Sequence, residues 1–179
     1  NKTMADKNVD EKQIVIQKLY IKDSSFESPN TPEVFRGAEW KPKTDLNLSS
    51  SHAPFEDNTH EVTLTVTVEA KDDDNVIFIA EIKQAGLFQI SGYSAEDLEA
   101  IIGIFCPNTL FPYARETIAN MIAKGGFPEF ILQPINFDAL YTESKKRAAD
   151  NNQNDKESSS ETAPCHLVRH AIRGFMARR

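Results

Sequence analysis

Eight residues, Val62-Thr63-Leu64-Thr65-Val66-Thr67-Val68-Glu69, constrain this chain more than any others. Apolar side chains alternate with Thr or Glu at period two, and β-branched residues dominate, so the segment reads as a strand with one polar face. Lys71-Asp72-Asp73-Asp74-Asn75 reads as a turn and Val76 to Gln84 as the returning strand of an antiparallel hairpin. In that second strand Ile77, Ile79, Glu81 and Lys83 fall on one face and Phe78, Ala80, Ile82 and Gln84 on the other. A strand apolar on both faces is either buried twice, or buried once and left open as a docking patch.

Other elements follow from local patterns. Residues 1–12 read as a flexible N-terminus, 13–149 as the folded domain and 150–179 as a disordered linker and basic tail. From Gln13 a strand is expected with Ile14, Ile16 and Tyr20 on one face and Val15, Leu19 and Ile21 on the other. Residues 23–45 hold Pro29, Pro32 and Pro42 and read as a long irregular crossing carrying Phe26, Phe35 and Trp40. Leu46 and Leu48 alternate with Asp45 and Asn47, a short strand signal. Ser94 caps a helix with Leu98, Ile101, Ile102 and Phe105 at helical spacing. Pro107 interrupts it, and Pro112 suits the first turn of a renewed helix bearing Tyr113, Ile118, Met121 and Ile122. Gly125-Gly126 ends that helix, and Asn136 caps a last one running to about Ala149.

Composition narrows the function classes. At 179 residues one domain is the default. A net charge of −7 argues against a nucleic-acid or anionic-membrane partner and suits basic partners. Residues 165–179 hold Arg169, Arg173, Arg178 and Arg179 with no acid; removing those four positives from −7 leaves −11 for residues 1–164. The two cysteines, Cys106 and Cys165, fit neither CxxC nor a disulfide framework, so a reducing cytoplasm is expected, with Cys106 as a small core residue. No apolar run approaches the roughly 20 residues of a membrane span. NKTMADKN has no signal-peptide core, and Met4 is read as an ordinary start.

The stretch CPNTLFPYAR, Cys106 to Arg115, offers prolines and aromatics but no ordered acid, base, nucleophile or metal ligand set. With IKDSSFESPNTPEVF at 21–35, EWKP at 39–42, the hairpin and INFDAL at 135–140, it resembles SecB, the bacterial protein-export chaperone, over about Ile14 to Ala149. The resemblance implies an α+β fold in which a four-stranded antiparallel sheet packs with a long broken helix and a C-terminal helix. It also implies a homotetramer built as a dimer of dimers, and an ATP-independent holdase with no cofactor. Such a chaperone binds unfolded secretory precursor proteins and delivers them to SecA, the translocase ATPase.

Phe35, Trp40, Leu46 and Leu48, in or just after the proline-rich crossing where apolar groups are hard to hide, are candidate groove residues; the plainer alternative is that they cover a sheet edge. Leu140 and Tyr141 join them by resemblance. Asp23, Glu27, Ile79 and Glu81 match family positions that dock SecA, and alternation independently puts Ile79 and Glu81 on one face. Ala80, Ile82 and Gln84 match positions at or near subunit contacts, with core packing as the alternative. Pro107, Pro112, Tyr113 and Arg115 are read as architectural. His52 and His60 sit in or beside a loop-like stretch with Glu56, Asp57 and Glu61 and suggest no metal or catalytic site. Cys165, His166 and His170 do not make up a closed metal site.

The tail CHLVRHAIRGFMARR departs from the family's short acidic or polar ends, with Leu167, Val168, Ala171, Ile172, Phe175 and Met176 at helical spacing between arginines. It suits folding on a partner, lying on an acidic part of its own body and so competing for the docking face, or being an extension without a role. The alternative to the export reading is a SecB-like chaperone dedicated to one client, such as an antitoxin. A hydrolase using Cys106 and a histidine is the different-class alternative, and no motif orders that pair; the chain is read as no enzyme.

Overall fold

A computed structural model describes residues 11–37 and 41–154. Four strands, β1 (Gln13–Glu27), β2 (Lys43–Pro54), β3 (Thr59–Asp72) and β4 (Asn75–Ser91), form one antiparallel sheet in the order β1-β4-β3-β2. The helices are α1 (Ala95–Ala100), α2 (Cys106–Lys124) and α3 (Phe137–Asn154). A π turn at Ile101–Phe105 joins α1 to α2. This is the α+β architecture that the resemblance implies. The strands are longer than the local patterns: residues 23–27 belong to β1, and β2 reaches Pro54. The crossing shortens to residues 28–42 and includes a 3-10 turn at Glu33–Arg36. Helix α3 extends past Ala149 to Asn154.

One face of the sheet is covered and the other is open. Val62, Leu64, Val66, Val68 and Ala70 of β3 point under the helices with Phe78, Ala80, Ile82, Phe88 and Ile90 of β4, all buried. They meet Cys106, Leu110, Ala114, Ile118 and Ile122, which recur every four residues along α2. The Thr and Glu positions of β3 face outward, which is the period-two polarity of its sequence.

Three expectations fail, each because one residue is inserted. In β1 the pairing shifts between Ile16 and Lys18 and again between Ile21 and Asp23. These bulges put Ile14, Ile16, Leu19 and Ile21 on the helix side and Tyr20 on the open side. In β4 the pairing skips Ile77, which is buried in the core instead of lying beside Ile79. In the long helix Cys106 N–H bonds back five residues to Ile101 C=O, so Pro107 produces a π turn and no break. The extra residue rotates the buried stripe onto Cys106 and Leu110, and leaves Phe105 and Tyr113 exposed.

Candidate functional site

The open sheet face gathers the docking candidates. Glu27 pairs with Ile79, Ile79 with Glu69, and Glu69 with Asp45, giving one row across four strands with three carboxylates around an isoleucine. The next row is Ser25, Glu81, Thr67 and Asn47, then Asp23, Lys83, Thr65 and Ser49. Asp23, Glu27, Ile79 and Glu81 therefore share a face and lie in three consecutive rows. Thr67 Oγ1 donates to Glu81 at 2.9 Å, fixing that carboxylate on the surface. Lys83 stands 3.9 Å from exposed Asp23, a pair worth little in water. Lys71 pairs with Glu69.

Farther along the same face, sequence reading missed a polar cluster. Tyr20 O–H donates to Glu61, and Lys22 Nζ reaches the same carboxylate at 2.8 Å. Hydrogen bonds from Lys22 and Tyr20 hold the Glu61 carboxyl below its ordinary value. Burial, then Glu61, push the Tyr20 hydroxyl up to about 12. The signal was hidden because the β1 bulges decide which way Tyr20 points.

The groove candidates separate along the other face. Phe35 is 51% exposed and its ring lies 5.3 Å from that of Phe127, which in turn packs on Phe78 and Phe26. That cluster sits at the C-terminal end of α2, where Gly125 lies against Phe26. Tyr141 instead lies against Gly103 in the π turn, so close that a methyl group on Gly103 would stand 2.4 Å from the ring. Leu140 packs on the core nearby, and Phe137 meets Phe111 edge-on at 5.7 Å. At 1.5 Å per residue, the 22 steps from Gly103 to Gly125 span about 33 Å.

Leu46 is buried and Leu48 half-buried, both facing inward opposite Val68 and Val66. Trp40 lies outside the described residues. The missed part is the non-helical segment 127–136, which leads from the Phe35 end back to α3. It buries Phe127 and Leu132 but leaves Ile131 62% exposed. Its only sequence cue was dense apolar residues without a helical period.

Ala80, Ile82 and Gln84 all lie on the helix-covered face and are buried within the single chain. Gln84 Nε2 donates to Tyr20 C=O at 3.0 Å. Any influence on a subunit contact would pass through the helices that cover them. Pro107 is buried, and the half-buried Arg115 lies over the Phe111 ring at 5.9 Å.

His52 and His60 are not in a loop: they lie on paired strands β2 and β3 with ring nitrogens 2.9 Å apart. Cys106 is a buried free thiol whose value burial pushes up to about 12, so it is neutral and inaccessible as a nucleophile. Among the described residues no group of three or more His, Cys, Asp or Glu converges to hold a metal, and no helix is long and apolar enough to cross a membrane. The acid-free tail with Cys165, His166 and His170 lies outside the described residues, as does the N-terminal stretch before Glu11.

Residues 7–148 match the family model described as preprotein translocase subunit SecB. The protein-export protein SecB of Nitrosococcus oceani is 48% identical over 136 residues, covering 75% of this chain and 83% of that protein. That of Hahella chejuensis is 45% identical over 155 residues, covering 87% and 91%. Among solved structures, a Mycobacterium tuberculosis SecB-like chaperone in complex with an antitoxin peptide shares the fold at a TM-score of 0.58 and 16% identity. That match covers 68% of this chain and 90% of the other.

Proposed function

This chain belongs to the SecB family, and from that premise we propose that it is a protein-export chaperone that holds unfolded precursor proteins and hands them to SecA. The observation that carries the proposal is the division of labour between two faces of one sheet. On the helix side Phe35 and Ile131 are exposed and Phe130, Ile135, Leu140, Tyr141 and Leu48 half-buried, which supports an apolar track from the Phe35 end to Tyr141, underlain by the buried Phe127 and Leu46. A track of about 33 Å accepts some ten extended residues at the usual rise per residue, without selecting a sequence. Burying apolar side chains there gains roughly 25 cal/mol per Å2, and several such weak contacts on an oligomer add avidity.

The open face serves the handover. Glu27 and Glu81 flank Ile79, and Asp23 lies two rows along the same face, suiting a small basic element of the recipient with an apolar centre. A chaperone dedicated to one client, such as an antitoxin, needs no such surface, so the export reading is the stronger. Trp40 belongs to the groove by sequence alone. Four copies assemble as a dimer of dimers, which the exposed apolar residues of edge strand β1 support, and Ala80, Ile82 and Gln84 act on that assembly through the helix layer. The chaperone works in the cytoplasm and catalyses no reaction; the neutral, enclosed Cys106 supports the latter.

The test is twofold. The purified chain is mixed with a chemically unfolded precursor and with its folded form, and binding is read by fluorescence anisotropy with and without ATP. A pull-down with SecA follows. Nucleotide-independent binding of the unfolded form alone, with capture of SecA, is expected; equal affinity for folded and unfolded forms would reject the holdase, and failure to retain SecA would reject the handover.

A further inference from the structure

The end of the sheet farthest from the acidic rows holds a feature the chaperone reading does not use. His52 is near the end of β2 and His60 near the start of β3; they face the helix side beside the pairing of His60 with Phe88. Nε2 of His52 and Nδ1 of His60 are 2.9 Å apart, and the ring centroids 5.1 Å apart with an interplanar angle of 39°. His60 also lines a hollow of about 340 Å3 with Phe55, Ile90, Tyr93 and Leu98, so the site has an open side.

We propose that His52 and His60 form a two-point seat for a divalent transition-metal ion that prefers imidazole, of the Zn2+, Ni2+ or Cu2+ class. Two imidazole nitrogens on one tetrahedral zinc, each about 2.0–2.1 Å away, stand about 3.3 Å apart. The observed pair needs only a few tenths of an ångström of opening. Each ring must also turn so that its lone pair points at a common centre instead of at the other nitrogen. That turn is about χ2, a broad torsion in histidine, and costs little. The backbone frame is held by the β2–β3 pairing, which runs through His52 opposite Val62 and ends at His60 opposite Pro54, and by the pairing of His60 with Phe88 in β4.

Protonation does not stand in the way. Burial, and the neighbouring His60 charge, lower the His52 value, and burial lowers that of His60. Both rings are therefore available as neutral ligands near pH 7, and the seat empties on acidification. Water, or a donor group of a bound chain entering from the hollow, completes the coordination. The inference is independent of the export role: the seat exists whether or not the protein carries precursors.

The test titrates the full chain with ZnCl2, with MgCl2 as the hard-cation control, and follows imidazole Cε1–H resonances and the melting temperature. Zinc, not magnesium, is expected to shift the His52 and His60 resonances together and to raise Tm by about 3 °C at tenfold excess over Kd. His52→Gln and His60→Gln each remove both responses, whereas the variant combining Cys165→Ser, His166→Gln and His170→Gln keeps them. Responses that survive in H52Q and H60Q, responses that vanish with the tail variant, or no response up to 1 mM zinc (roughly the weakest affinity worth calling a site) would each overturn the proposal.

Discussion

Glu27 stands directly opposite Ile79 on the uncovered face of the sheet, and Glu81 lies one row away on the same strand as Ile79. Reversing one charge in this set changes the proposed docking surface without touching the helix side. Glu81→Lys is expected to weaken SecA capture on the order of tenfold, equivalent to about 1.4 kcal/mol. It also removes the acceptor of Thr67, an exposed-side bond worth about 1 kcal/mol or less. Binding of an unfolded precursor should be unchanged. Loss of both activities, or of neither, would place the docking surface elsewhere.

Gly103 supports Tyr141 by having no side chain. Gly103→Ala puts a methyl group 2.4 Å from Tyr141 Cδ2, so α3 or the ring must move. Overpacking of this kind costs about 1–3 kcal/mol, more than the gain in helix propensity of about 1 kcal/mol. Chemical denaturation of G103A, Tyr141→Ala and the double variant measures it. A double variant more stable than G103A is expected; purely additive losses would show that the contact does not couple the helices.

How much of this was legible in sequence depends on phase. The period-two pattern of Val62 to Glu69 needed no tertiary information, because one face of β3 lies under the helices and the other is uncovered by them. Strand β4 read equally well from Ile79 onward, which is why Ile79 and Glu81 were placed together. Tyr20, Ile77 and Phe105 were misplaced because each lies at or beyond one inserted residue: a bulge in β1, a bulge in β4 and a π turn before Pro107. A single insertion inverts a strand's faces or rotates a helix by about 100°. The histidine pair was hidden for a different reason: polar Ser49-Ser50-Ser51 gave no strand signal, though β2 runs straight through it.

Tyr20 and Glu61 give the pH dependence a sign. The Tyr20 hydroxyl is raised from 10.0 to about 12, so its bond to Glu61 stabilises the fold fully below pH 10 and is lost as pH rises towards 12. The Glu61 carboxyl is lowered, so its contribution is present above its ordinary value of 4.5 and lost as pH falls below it. Tyr20→Phe should cost about 1 kcal/mol near neutrality, with the difference from the parent shrinking above pH 10. Absorbance titration near 295 nm checks the same point: the parent shows one late-titrating tyrosine that Y20F lacks. A Y20F deficit that persists unchanged at pH 12 would show that the lost hydroxyl acts by packing.

Cys106 fills the first turn of α2 beneath the sheet and is fully buried. Its thiol, pushed up to about 12 by burial, should resist alkylation in the folded chain at pH 8 and react only on unfolding, read in a Cys165→Ser background so that one thiol is counted. Cys106→Ala should retain full binding of unfolded precursor with a stability loss of about 1 kcal/mol. Loss of binding in a variant shown by circular dichroism to be folded would return a chemical role to the thiol.

Edge strand β1 carries the assembly argument. Ile16 and Ile21 are 43% and 52% exposed although the β1 bulges turn both to the helix side, because the helix layer makes little contact with that strand. An edge strand with a free backbone and apolar side chains invites pairing with another copy. Gln84 fixes the bulge beside Ile21 by bonding to Tyr20 C=O, linking a buried polar residue to the shape of that edge. Ile16→Glu and Ile21→Glu change side chains about half exposed in the single chain, so each should cost the protomer fold about 1 kcal/mol. In light scattering the parent should have the mass of four copies and either variant a smaller mass. The acidic open face remains intact in those variants, so SecA capture per protomer should fall only through lost avidity. Unchanged mass in both variants would remove β1 from the subunit contact.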